Sequence, residues 1–96
     1  MNDRQILRII GKNVRVARLK ADMTQECLAE IAEVHLQTIS NIERGKFPVL
    51  VTTFARISQA LEIASDRLLE GLPELSAWRV KRIKKALMRK RKPPKR

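Results

Sequence analysis

The sequence predicts an all-α fold, with five short helices forming one body and a sixth, basic amphipathic helix behind it. Three observations carry that expectation. Apolar residues recur at spacings of three and four, and no stretch alternates apolar and polar residues over the length of a strand. Glycine is scarce, 3 residues in 96. Only 3% of residues are aromatic while 44% are apolar, so the core must be aliphatic. A chain of 96 residues has room for one domain with a modest core, plus an appendage.

The first helix is expected from Asp3 to about Ala21, with Ile6, Ile10, Val14 and Ala17 on its buried stripe. Asp3 is the expected cap, because a carboxylate there accepts orphan amides and suits the helix dipole. Asp22-Met23 connects to a second helix capped by Thr24 and ending near Ala32; Cys27 three residues on leaves the capping box incomplete. A tight turn at Glu33-Val34-His35 leads into a third helix, Leu36 to Arg44, stopped by Gly45. Leu28, Ile31, Val34, Ile39 and Ile42 are expected to lock these two helices together. After a loop stiffened by Pro48, a fourth helix over Val51 to Leu61 aligns Phe54, Ile57 and Leu61. A fifth, Ser65 to Glu70, supplies Leu68 and Leu69 and ends at Gly71. Pro73 suits the first turn of a sixth helix. Its apolar stripe is Leu72, Leu75, Val80, Ile83, Ala86 and Leu87, and Pro93-Pro94 forbids further helix.

The charge is unevenly placed. Residues 1–71 hold 10 Lys/Arg against 9 Asp/Glu, whereas residues 72–96 hold 11 Lys/Arg against Glu74 alone. The expected division is therefore a nearly neutral domain over 1–71 and a cationic tail over 72–96. Such a tail suits a polyanion, nucleic acid first of all. Cys27 stands alone and has no internal disulfide partner, which fits a reducing compartment. No apolar run reaches the length of a membrane span and no leader-like segment opens the chain, so a soluble cytoplasmic protein without a membrane role is expected. No glycine-rich phosphate loop, catalytic carboxylate pair or second histidine points to an enzyme, a cofactor or a metal.

The functional signal lies in residues 24–46. Between its apolar contacts the third helix shows a polar outward face of Gln37, Ser40 and Asn41, with Arg44 and Lys46 at its far end. Amides and hydroxyls suit base edges in a major groove, and the cations suit phosphates. Thr24-Gln25-Glu26, Leu28-Ala29 and the run from Thr38 to Lys46, followed by Ile57, Ala60-Leu61 and Leu68-Leu69, resemble the phage-repressor (Cro/repressor, xenobiotic-response-element) helix-turn-helix family. The resemblance covers roughly Ile10 to Leu69.

It implies a five-helix domain in which Gln25 bonds a phosphate at the start of helix two. Leu36, Gln37, Ser40 and Asn41 would face base edges, and Arg44 and Lys46 would hold phosphates. Arg18 and Glu43 occupy positions that form an internal ion pair in such folds. The implied function is a sequence-specific transcriptional regulator, a repressor, binding double-stranded DNA as a homodimer on a pseudo-palindromic operator.

Glu33 and Glu62 depart from the pattern, standing where the family has glycine. Leu36 replaces a polar reader and offers a thymine methyl contact only. The tail matches no part of the family. The competing reading is an antitoxin-like module whose basic tail, residues 72–96, binds an acidic partner. Trp78, at the edge of the tail's apolar stripe, is expected to pack the tail helix on the body or a partner subunit, with stacking on a base as the alternative. His35 is expected to serve only as the cap of helix three.

Overall fold

A computed structural model describes residues 2–72 and 77–90. Helix α1 spans Asp3–Lys20, and its first turn is closed by Asn2 rather than Asp3. Asn2 Oδ1 accepts from the Gln5 amide at 2.9 Å, and Gln5 Oε1 accepts from the Asn2 amide at 2.9 Å, a complete capping box. Asp3 is already helical, one residue too far in to cap; its carboxylate suits the positive end of the helix, as Arg18 and Lys20 suit the other.

Helix α2 covers Gln25–Ala32 behind Thr24, whose Oγ1 accepts from the Cys27 amide at 3.0 Å. Helix α3 covers Leu36–Glu43 and α4 covers Val51–Ala60. The expected fifth helix is a 3-10 turn, Ser65–Leu69. Extended backbone at Ala64 and Glu70 leaves room for only this short tight segment. Helix α5, Ala77–Lys90, follows.

The four helices of the body end in one way. After each, a residue in the left-handed region lets two amides reach back: Asp22 and Met23 to Leu19 and Arg18, Glu33 and Val34 to Glu30 and Ala29, Gly45 and Lys46 to Ile42 and Asn41, Glu62 and Ile63 to Gln59 and Ser58. Only Gly45 takes that conformation without a Cβ. Asp22, Glu33 and Glu62 hold φ of 55°, 57° and 55°, each at a cost on the order of 1 kcal/mol relative to glycine. Glu33 and Glu62, which stand where the family has glycine, thus take the conformation glycine would favour, and Asp22 adds a third such site.

Helix α3 packs on α1 and α2, α4 packs on α2, and the 3-10 turn closes against α1 and α4. Leu28, Ile39, Ile57, Leu68 and Val14 are fully enclosed, each contributing roughly 1.5–3 kcal/mol of transfer free energy. Ile10, Ala17, Val34 and Phe54 pack against them, half-buried. Two expected core residues lie outside. Ile31 is 52% exposed, because α2 turns Leu28, Ala29 and Ala32 inward and places Ile31 about 100° round the helix. Leu69 is 39% exposed, since the 3-10 turn presents only Leu68 to the core.

Three contacts that no periodicity announces fix the frame. A Cβ on Gly11 would collide with the backbone carbonyl oxygens of Ile42 and Glu43, so α1 and α3 touch backbone to backbone there. Asn13 Nδ2 donates to the carbonyls of Leu68 and Glu70, both at 2.8 Å, and ties the 3-10 turn to α1. Ser58, buried on α4, donates to the Ile63 carbonyl at 2.6 Å and accepts from Ser65 Oγ at 3.0 Å.

On α5 the stripe is open. Val80, Ile83 and Leu87 are 46%, 46% and 58% exposed. The expectations for Pro73, Leu75, the Trp78 side chain and Pro93-Pro94 lie outside the described residues.

Candidate nucleic-acid interface

What orients α3 is polar and mostly buried. Arg18 grips Glu43, the last residue of α3, in a two-pronged pair: Nε to Oε2 at 2.7 Å and Nη2 to Oε1 at 3.0 Å. Arg18 Nη1 also donates to the Met23 carbonyl at 2.8 Å, and Gln25 Nε2 donates to Glu43 Oε1 at 3.2 Å. The Arg18–Glu43 pair therefore joins α1, the α1–α2 connector, the start of α2 and the end of α3. The Glu43 hydrogen bonds and charge push the Arg18 guanidinium above its ordinary value, against the opposing effect of burial. The expected Arg18–Glu43 ion pair is present. Gln25, first residue of α2, spends one amide hydrogen on Glu43 and keeps the other for an incoming group.

On the opposite side of α3 the expected reading residues form one connected row. Gln37 Nε2 donates to Asn41 Oδ1 at 3.0 Å, and Arg44 Nη2 donates to the same oxygen at 3.2 Å. Arg44 Nε reaches the Ser40 carbonyl at 3.3 Å. Because the guanidinium only donates, Asn41 must turn its oxygen inward and its amine outward. Asn41 so held offers donors, which match acceptors such as guanine N7 and O6 or thymine O4. Gln37 retains a carbonyl oxygen and one amide hydrogen.

Leu36 and Gln37 are exposed, and Ser40 and Asn41 are half-buried. Lys46 is exposed just beyond Gly45, where its own amide bonds the Asn41 carbonyl at 3.0 Å. His35 occupies the cap position of α3, but its side chain makes no capping hydrogen bond.

Two features around this face escaped the sequence reading. Phe47, Leu50 and Val51 are 59%, 71% and 83% exposed, an apolar patch just after α3. Phe47 and Leu50 line a shallow cleft with Thr38 and Asn41 of α3. On the other flank Arg4 and Arg8 of α1 stand beside Arg44 and Lys46. A cation spacing of four along α1 was the available signal for the second feature; for the first there was none, since apolar residues in a loop or at a helix start read as core. Among the described residues no cluster of His, Cys, Asp or Glu is placed to share a metal ion. No helix among them is long and apolar enough to cross a membrane.

Residues 14–68 match the helix-turn-helix family. The chain belongs to that family. Over 63 residues it is 40% identical to the control protein C.BamHI of Bacillus amyloliquefaciens, covering 65% of this chain and 78% of the relative. Among solved structures, the restriction-modification controller protein C.AhdI of Aeromonas hydrophila superposes with a TM-score of 0.63 at 26% identity, over 65% of this chain and 94% of the other. The clp gene regulator ClgR of C. glutamicum gives 0.64 at 26% identity, over 67% and 83%. This helix-turn-helix protein is thus a DNA-binding regulator of transcription with the all-α, repressor-like fold the sequence predicted. Its motif is α2, the turn at Glu33 and α3.

Proposed function

We propose that this chain represses transcription as a homodimer on a pseudo-palindromic operator, each copy laying α3 in a major groove. The observation that carries this reading is the connected row Gln37, Asn41 and Arg44 on the open face of a helix anchored from behind by Arg18 and Glu43. Gln37 and Asn41 read base edges, Ser40 and Leu36 make short polar and apolar contacts beside them, and Gln25, Arg44 and Lys46 hold phosphates. One recognition helix spans only a few base pairs, so a second copy doubles the site. Leu69 and the α5 stripe of Val80, Ile83 and Leu87 supply apolar surface for that contact. The controller proteins among the relatives make promoters of restriction and modification genes the first to examine.

Unbiased selection of bound duplexes by the full-length protein tests the proposal, with sedimentation of free and bound forms. The expected result is a two-fold-related site, half-site centres about one DNA turn (roughly 34–36 Å) or a multiple apart, and two chains per site. A monomer on an asymmetric site would overturn the dimer. The exposed stripe of α5, flanked by Lys81, Lys84 and Lys85, also favours a second reading in which the tail docks an acidic protein partner. Co-purification of such a partner with the full chain, lost on truncation after Ile83, would distinguish it.

A further inference from the structure

We infer that the N-terminal half of α1 carries a phosphate-binding cleft that extends the DNA contact beyond the helix-turn-helix motif, an inference that rests on the operator-binding reading above. The cleft, about 420 Å³, is lined by Arg4, Leu7 and Arg8 from α1 and by Arg44, Gly45 and Lys46 from the end of α3. Four cations and no carboxylate face it. All four are exposed, and among the described residues neither Arg4, Arg8 nor the Lys46 ammonium has an ion pair or side-chain hydrogen bond. Four like charges crowded without a counter-charge raise the local potential and call for an anion.

The closeness of the two walls is built in. Gly45, at φ +64°, lies so near Arg8 that a Cβ would stand 3.0 Å from its Cα and its amide nitrogen. That contact seats the α3 exit against α1 and brings Arg8 beside Arg44. Arg44 meanwhile donates to Asn41, so the cleft and the base-reading row share one guanidinium. At about 100° per residue, Lys12 and Arg15 fall within about 80° of Arg4 and Arg8 on the same flank of α1. A cationic flank continuous with a helix in the major groove meets the phosphodiester backbone bordering that groove. Arg4 and Arg8 lie before the stretch 14–68 that matches the family. The α1 wall of the cleft thus lies outside the motif formed by α2 and α3, and the cleft contributes affinity rather than sequence preference.

The test uses the full chain and the duplex returned by selection, with operator and scrambled DNA titrated across a salt series. The double substitution Arg4→Gln and Arg8→Gln should make the log–log salt slope of the bound dimer shallower by about 3.6, two phosphates per chain at about 0.9 each. Affinities of parent and variant should converge near 1 M salt and differ by roughly 4000-fold at 0.1 M, equally on both duplexes. Phosphate ethylation interference should lose its flanking positions in the variant. The control pair Lys20→Gln and Arg67→Gln removes the same charge from the separate groove beside Asn13 and Leu68, and should leave the slope within about half a unit of the parent. Equal slopes for parent and Arg4/Arg8 variant, on an operator the parent binds specifically, would overturn the cleft while leaving the operator reading intact. A slope lowered as much by the control pair would also overturn it, since net charge alone would then account for the effect. No DNA binding by the parent would overturn both.

Discussion

Gly11→Ala places a methyl group where two backbone oxygens already stand, those of Ile42 and Glu43 in the last turn of α3. In an open helix the same substitution stabilises by about 0.8–1.0 kcal/mol. Here the obstacles are carbonyls that cannot rotate aside. The α3 turn bearing them is held by the Arg18–Glu43 pair and by the closure at Gly45. Overpacking of this kind costs about 1–3 kcal/mol, and immovable backbone places it at the upper end. The balance is a net loss of about 1–2 kcal/mol, which lowers Tm by roughly 5–15 °C in a domain of this size. Thermal melts followed by circular dichroism measure it, and operator titration should show a parallel loss as α3 is pushed from its seat. A variant melting at or above the parent would refute the reasoning, because helix propensity would then have won and α1 and α3 would separate at little cost.

The remaining predictions vary the interface and its supports. Gln37→Ala and Asn41→Ala should each lose about 1–3 kcal/mol on the operator, relaxing one or two base pairs per half-site without lowering Tm; parent-like binding by both would mean that another surface reads the DNA. Glu33→Gly relieves a φ of 57° and should raise stability by about 1 kcal/mol in urea titration, whereas a loss would show that the side chain matters more than the strain. Glu43→Ala leaves the buried Arg18 guanidinium unpaired and should cost about 3–5 kcal/mol. Because the folded Arg18 titrates above its ordinary value, its contribution is complete below that value and is lost only as pH rises through the folded one; stability measured across the neutral range should show no step from this pair. Removing Lys84 to Arg96 should keep the preferred sequence and flatten the salt dependence; an unchanged slope would assign the tail to something other than DNA.

Much of the fold could be read from spacing, because helical periodicity and end signals act over a few residues. Thr24 capped α2, Gly45 closed α3, and Leu28, Ile39 and Ile57 went inside as their intervals required. The readings failed where the deciding partner was distant in sequence. Gly11 gave no sign of touching α3, since nothing local distinguishes a glycine needed for close approach from a tolerated one. Nothing local marks Asn13 or Ser58 as hydrogen-bonding positions; their partners in the 3-10 turn lie elsewhere in the chain. Ile31 and Leu69 were assigned inward from hydrophobicity alone, although elements this short have only one inward face. In the site, the positions on α3 followed from the motif, but the hydrogen-bonded order among Gln37, Asn41 and Arg44 depends on rotamers. The role of Arg4 and Arg8 depends on where α1 meets the exit of α3.

The row Gln37–Asn41–Arg44 also bears on how the protein meets its target. Long polar side chains that wave freely must be frozen on contact, at roughly 0.5–1.5 kcal/mol for each one immobilised. Here three of them already brace one another through a single amide oxygen before any DNA arrives. On the proposed reading, such a surface works as a set stamp more than as fingers that close, and its fit is decided at collision. Encounters with wrong sequences would then find donors aimed at the wrong atoms and part quickly, while the right one would need little rearrangement to stay.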